Sequence, residues 1–121
     1  MMIEPDFRDG LVPVIVQAAD TREVLMFAYM DREAFELTRS TGLAHYYSRS
    51  RRRLWKKGES SGHLQHVREM RIDCDRDCLL LIVDQDVAAC HEGYRSCFYR
   101  TIDGEVVGRK AFEPGDVYRA K

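Results

Sequence analysis

Arg71-Ile-Asp-Cys-Asp-Arg-Asp-Cys-Leu-Leu-Leu-Ile-Val83 is the stretch on which the reading of this chain turns. Leu79 to Val83, preceded by Cys78, is the longest uninterrupted apolar run and reads as a buried strand. It is far below the ~18 residues that suggest a membrane span. Taken as one strand, Arg71 to Val83 places Asp73, Asp75 and Asp77 on one face and Cys74 on the other, because side chains alternate. Two-residue steps cover ~6.6 Å, so one ion can meet all three acids only if the segment bends or loops. Carboxylate oxygens suit Mg²⁺ or Ca²⁺ and thiolates suit Zn²⁺, so their interleaving predicts two metals of different character close together, and with them an enzyme. The bland alternative is an acidic edge facing water.

Upstream, Leu11 to Gln17 and Glu23 to Ala28 are β-branched or apolar runs separated by polar residues, which predicts a hairpin with Pro13 on an edge strand or at a bulge. Asp31 offers an N-cap and Gly42 a stop for a helix over Arg32 to Ser40, with Ala34, Phe35, Leu37 and Thr38 on one face. Ala44 to Ser48 and Arg53 to Trp55 read as short strands, and Lys57 to Gly62 as a flexible loop. His63 to Met70 fits helix or strand. Downstream, Phe98 to Val107 reads as a hairpin turning at Asp103-Gly104, and Phe112 to Lys121 as a polar, peripheral tail. The sum predicts an α+β fold, mainly antiparallel sheet with a short helix, in a single domain over residues 1–121.

With 45% hydrophobic and 32% charged residues, the composition is that of a folded soluble protein and excludes long disorder. The acidic start predicts no secretory signal, so a cytoplasmic location is expected, where four cysteines serve as ligands or buried thiols rather than disulfides. A net charge of -1 hides a segregation: Arg49, Arg51, Arg52, Arg53, Lys56 and Lys57 form a cationic block, followed by the acidic segment. Guanidinium forks, hydroxyls, glycines and the indole of Trp55 suit a phosphorylated ligand with a base to stack, and near-neutrality favours a small ligand over a polynucleotide.

Cys90 and Cys97 match no generic zinc spacing. Cys74, Cys90 and Cys97 would leave a fourth position for water, whereas adding Cys78 would close the site. On a strand Cys78 lies ~13 Å from Cys74, too far to share an ion, so it reads as a buried non-ligand. His91, next to Cys90, can move a proton.

Tyr47-Ser-Arg-Ser-Arg51, Leu54-Trp-Lys-Lys-Gly-Glu-Ser-Ser-Gly-His63, Asp73-Cys-Asp-Arg-Asp77 and Cys90-His-Glu-Gly-Tyr-Arg-Ser-Cys-Phe-Tyr99 together resemble the phosphoribosyl-AMP cyclohydrolase family of histidine biosynthesis, as does Val24 to Met30. The resemblance spans roughly residues 10 to 110 and is to the stand-alone form. It implies hydrolytic opening of the adenine ring of phosphoribosyl-AMP at N1–C6, giving the formimino-aminoimidazole-carboxamide ribotide. It further implies an intertwined homodimer, a small-molecule nucleotide substrate, and no nucleic-acid or membrane partner. Its implied sites are a zinc ion shared between subunits by Cys74 of one and Cys90 with Cys97 of the other, and Mg²⁺ on Asp73, Asp75 and Asp77. His91 matches the catalytic-region histidine, and Arg49, Arg51 and Lys57 are candidates for substrate phosphates. Cys78 and Val87-Ala88 depart from the pattern, the latter standing where Gly-Pro is frequent. The rivals are a zinc nucleotide deaminase, whose H-x-E and P-C-x-x-C are missing, and a zinc-stabilised nucleic-acid-binding module, which would use Cys78 as a fourth thiolate.

Overall fold

The computed structural model describes residues 2–118. In chain order the elements are β1 (Val12–Ala18), β2 (Val24–Met30), α1 (Arg32–Thr41), β3 (His45–Ser48), β4 (Arg53–Lys56), β5 (Gln65–Ile72), β6 (Leu79–Gln85) and α2 (Pro114–Val117). The architecture is α+β, with a four-stranded sheet ordered β2-β1-β6-β5 and a separate β3-β4 hairpin. The sheet is mixed rather than wholly antiparallel: β1 runs antiparallel to β2 but parallel to β6, with Val14 opposite Leu79. β1 is therefore an interior strand, and Pro13 fits because it precedes the β6 pairing, so its missing N–H breaks no ladder there.

Alternation on the strands makes the core. Val12, Val14, Val16 and Ala18 of β1 and Leu79, Leu81 and Val83 of β6 are buried on one face, each worth about 1.5–3 kcal/mol for a fully buried valine or leucine. Helix α1 supplies Ala34, Phe35 and Thr38 to the same core, and β3 adds Tyr46. Asp31 caps α1 by accepting from the Ala34 N–H at 2.9 Å, and Gly42 ends it at φ 75°. The apolar run from Leu79 to Val83 is not buried on both sides. Leu80 and Ile82 are half-exposed and share the opposite face with exposed Ile15 and Phe27, since Ile15 pairs with both Phe27 and Leu80. Within one chain that apolar face is uncovered.

The single strand expected from Arg71 to Val83 is instead the end of β5, a tight loop over residues 73–78, and β6. Asp73 causes the turn: its Oδ1 accepts the N–H groups of Asp77 and Cys78, and its own N–H donates to the Cys78 carbonyl. Arg76 takes φ 65° within it. Local carboxylate-to-backbone bonds thus outcompete extension. The segment His63 to Met70 resolves mainly as β5, and the Asp103-Gly104 turn forms with a single Arg100–Val106 bridge rather than paired strands. Among the described residues no helix is long and apolar enough to cross a membrane.

Candidate active site

The 73–78 loop brings Asp73, Asp75 and Asp77 together so that each offers an oxygen within 4.8 Å of the others. The bend that the flat-strand reading required is thereby present. Three carboxylates this close resist full ionisation. Hydrogen bonds that protonated Asp77 donates to Asp75 and Asp73, with the charges of those two carboxylates, push Asp77 up to about 6. Asp73 moves down despite some desolvation, because it accepts from Asp77 and Cys78. Such a cluster suits a divalent cation with oxygen preference.

Cys74 sits on the same loop and is exposed; Cys78 is half-buried immediately before β6. Neither joins Cys90 and Cys97 in one chain, since the acidic triad is the one potential metal-binding group of three among the described residues. Cys90 and Cys97 do meet each other. Cys90 opens a turn in which its carbonyl accepts from Gly93 and its Sγ accepts the Glu92 N–H at 3.4 Å. The return limb is pinned to the edge of β2, where the Ser96 hydroxyl donates to the Val24 carbonyl at 2.7 Å and the Cys97 N–H to the Leu25 carbonyl at 2.8 Å. Although Cys97 is exposed overall, loss of solvent around its thiol, with the Cys90 sulfur beside it, pushes it up to about 11, and the Lys57 charge opposes the rise. Two adjacent thiols with a backbone N–H aimed at one sulfur are chemically suited to supply two ligands of a tetrahedral thiophilic metal.

The approach to Cys90 is held from several sides. Gln85 donates to the Ala88 carbonyl at 3.3 Å and Lys57 to the Ala89 carbonyl at 2.5 Å, while Arg95 donates to the carbonyls of Gln85 and Val87. Gln85 in turn accepts from Gln65, which accepts from the buried Tyr46 hydroxyl. Val87 adopts φ 50°, a left-handed conformation unusual for a β-branched residue. This is the position where the resembling pattern has glycine.

Beside the thiols opens a cleft of about 610 Å³ whose lining includes Arg49, Arg51, Lys57 and His91. The β3-β4 hairpin supplies it: the turn between Ser48 and Arg53 projects the arginines, and Trp55, Ser60 and Ser61 line the wall. The Arg49 guanidinium lies 4.1 Å from the Tyr29 ring centroid, which holds it at the cleft. Exposed His91 has its Nε2 3.4 Å from Glu92 Oε1. The cationic and histidine candidates therefore share one cavity, next to the thiol pair, while the acids and Cys74 lie on the separate 73–78 loop.

The family profile described as phosphoribosyl-AMP cyclohydrolase matches residues 26–99. The chain belongs to the phosphoribosyl-AMP cyclohydrolase family. A protein of that name from Methanocella arvoryzae is 75% identical over 118 residues, covering 98% of this chain and 99% of the relative. Another from Methanosarcina mazei is 64% identical over 112 residues, 93% of each. Sequence reasoning missed two contributors. Tyr29 gave no signal beyond its place in the Val24–Met30 run. Tyr118 lines the cleft from a tail expected to be peripheral, which folds back with Phe112 edge-on to His63 at 4.8 Å; its last residues, 119–121, lie outside the described residues.

Proposed function

We propose that the chain opens the adenine ring of 1-(5-phosphoribosyl)-AMP by hydrolysis at N1–C6, giving the formimino-5-aminoimidazole-4-carboxamide ribotide. Membership of the family makes it an enzyme, a hydrolase of histidine biosynthesis. The observation that carries the detailed reading is the cleft in which Arg49, Arg51 and His91 converge beside the Cys90–Cys97 pair. A phosphorylated nucleotide fits such a cavity, with guanidinium groups for its phosphates and aromatic walls for its base.

Cys90 and Cys97, completed by Cys74 of a second copy, would hold Zn²⁺; Asp73, Asp75 and Asp77 would hold Mg²⁺. When bound there, zinc would supply Lewis acidity that lowers the pKa of a water, less so on thiolates than on neutral imidazoles. His91 takes a proton from the water as its oxygen reaches C6, and returns one to N1 as the C6–N1 bond breaks. Its exposure lets it reach a substrate, and Glu92 orients and stabilises the imidazolium formed between the two transfers. Arg49 and Arg51, on the lining of the cleft, offset phosphate charge.

The same arrangement supports a homodimer. Among the described residues no third thiol joins Cys90 and Cys97, and the face bearing Ile15, Phe27, Leu80 and Ile82 is apolar and uncovered. A cytoplasmic enzyme with no nucleic-acid partner fits the near-neutral charge. The test incubates zinc-loaded protein with phosphoribosyl-AMP and Mg²⁺ and follows product mass, with Cys97→Ala as control. Gain of one water with loss of purine absorbance, absent in the control, is expected; no turnover by folded, metal-replete protein would overturn the reading.

A further inference from the structure

Lys57 stands where the proposed phosphate and zinc sites adjoin, and its contacts differ from those of the two arginines. Arg49 rests on the Tyr29 ring at the cleft, and Arg51 is an exposed residue of the cleft lining. The Lys57 ammonium lies 5.7 Å from the Trp55 ring centroid and, unlike either arginine, donates to the carbonyl of Ala89, the residue directly before Cys90, at 2.5 Å. Desolvation there lowers its pKa, and the sulfurs of both Cys90 and Cys97 lie near enough to oppose that shift. One bond to a peptide carbonyl, the Trp55 ring and two neighbouring sulfurs account for this cation without a phosphate.

Two thiolates side by side repel each other, and three around one Zn²⁺ leave an excess negative charge. A cation held against the pair offsets both terms, and a fixed carbonyl before Cys90 limits the motion of its side chain. We propose that Lys57 is a positioning residue for the Cys90–Cys97 pair, anchoring the Ala89 carbonyl and balancing thiolate charge so that the half-site is preformed for zinc, rather than a phosphate ligand. This rests on the zinc reading above.

The test titrates Co²⁺ as a spectroscopic substitute for zinc, and Zn²⁺ against a chromogenic chelator, into the intact wild-type protein and its Lys57→Met and Lys57→Arg variants. Wild type should show thiolate-to-cobalt charge-transfer bands. Lys57→Met should lose about 10–100-fold in zinc affinity, as removal of an outer partner of a metal ligand does, with KM for nucleotide nearly unchanged at saturating zinc. Lys57→Arg, which keeps the charge, should restore affinity to within about threefold of wild type. Unchanged zinc affinity in Lys57→Met with a raised KM would overturn the proposal and return Lys57 to the phosphates. Absence of cobalt–thiolate bands in wild type would instead sink the zinc reading itself, and this inference with it. Should Lys57→Met fail to fold, the ammonium nitrogen resonance of Lys57 in wild-type protein decides. A shift on loading zinc and none on adding AMP supports the role; the reverse pattern refutes it.

Discussion

Substituting alanine for Gly93 tests whether the thiol turn and the C-terminal tail are one mechanical unit. Gly93 has φ 99°, and a Cβ there would lie 2.2 Å from the Phe112 carbonyl oxygen and 3.1 Å from Lys110 Cε. Its own carbonyl accepts the N–H groups of Ala111 at 2.7 Å and Phe112 at 3.2 Å, while its N–H donates to Cys90. Positive φ costs alanine about 1–2 kcal/mol. Relieving the overlap moves the Phe112 segment by about 1 Å, which forfeits those two tail bonds at about 0.5–1.5 kcal/mol each. The sum is about 2–5 kcal/mol, or a fall in Tm of about 8–20 °C for a domain near this size. Thermal unfolding of metal-free protein at fixed concentration measures it, with a parallel series in chain ending at Ala111. Without Phe112 the clash is gone, so the alanine cost there should shrink to about 1–2 kcal/mol. Equal costs in both backgrounds would refute the coupling.

Val87→Gly should stabilise by about 0.5–1 kcal/mol in urea unfolding, because relief of a left-handed β-branched residue exceeds the chain entropy glycine adds and the side chain is 48% exposed. A loss of stability would show that Val87 packs more than its exposure implies. Tyr46→Phe removes the donor to buried Gln65 and should cost about 1–3 kcal/mol in the same assay, since the amide oxygen is left unpaired; a neutral result would mean that Gln65 finds another partner. Mg²⁺ affinity should fall as pH drops through about 6, measured by calorimetry from pH 5 to 8. With Asp77 raised to about 6, the metal-free loop binds a proton there that the ion must displace. The same raised value means that this carboxyl destabilises the metal-free fold above pH 6 and does so less as pH falls, so stability without Mg²⁺ should not drop on its account in mild acid. Affinity independent of pH across that range would place the ion elsewhere.

What was legible in the sequence was local. The β1-β2 hairpin, the Asp31 and Gly42 caps of α1 and the basic β3-β4 hairpin each rest on residues within a few positions of one another, and each stands as expected. The 73–78 loop was misjudged because alternation of acids suits a strand, while the decisive interaction, Asp73 reaching forward to the N–H groups of Asp77 and Cys78, is a turn signal written in the same acids. The five-residue apolar run hid an alternation, since both faces of β6 carry aliphatic side chains although only one meets the core. Pairing of β1 with β6 has no local signature at all. For the site, residue types and the basic block from Arg49 to Lys57 were readable, whereas the meeting of His91 with that block in one cleft comes from the fold. The separation of Cys74 from its fellow thiols follows only from the fold.

The parallel β1–β6 pair also sets an order of events during synthesis and folding. Hairpin β1-β2, helix α1 and hairpin β3-β4 are all made before β6 exists, yet β6 must insert between β1 and β5 to complete the sheet. Closing so long a segment is the slow, non-local step. Until it happens, Gln85 is not beside Gln65, and the turn from Cys90 to Cys97, which follows β6 in the chain, is not delivered to the β2 edge that pins it. The cleft wall that this turn forms with Lys57 is therefore among the last parts of the fold to be set.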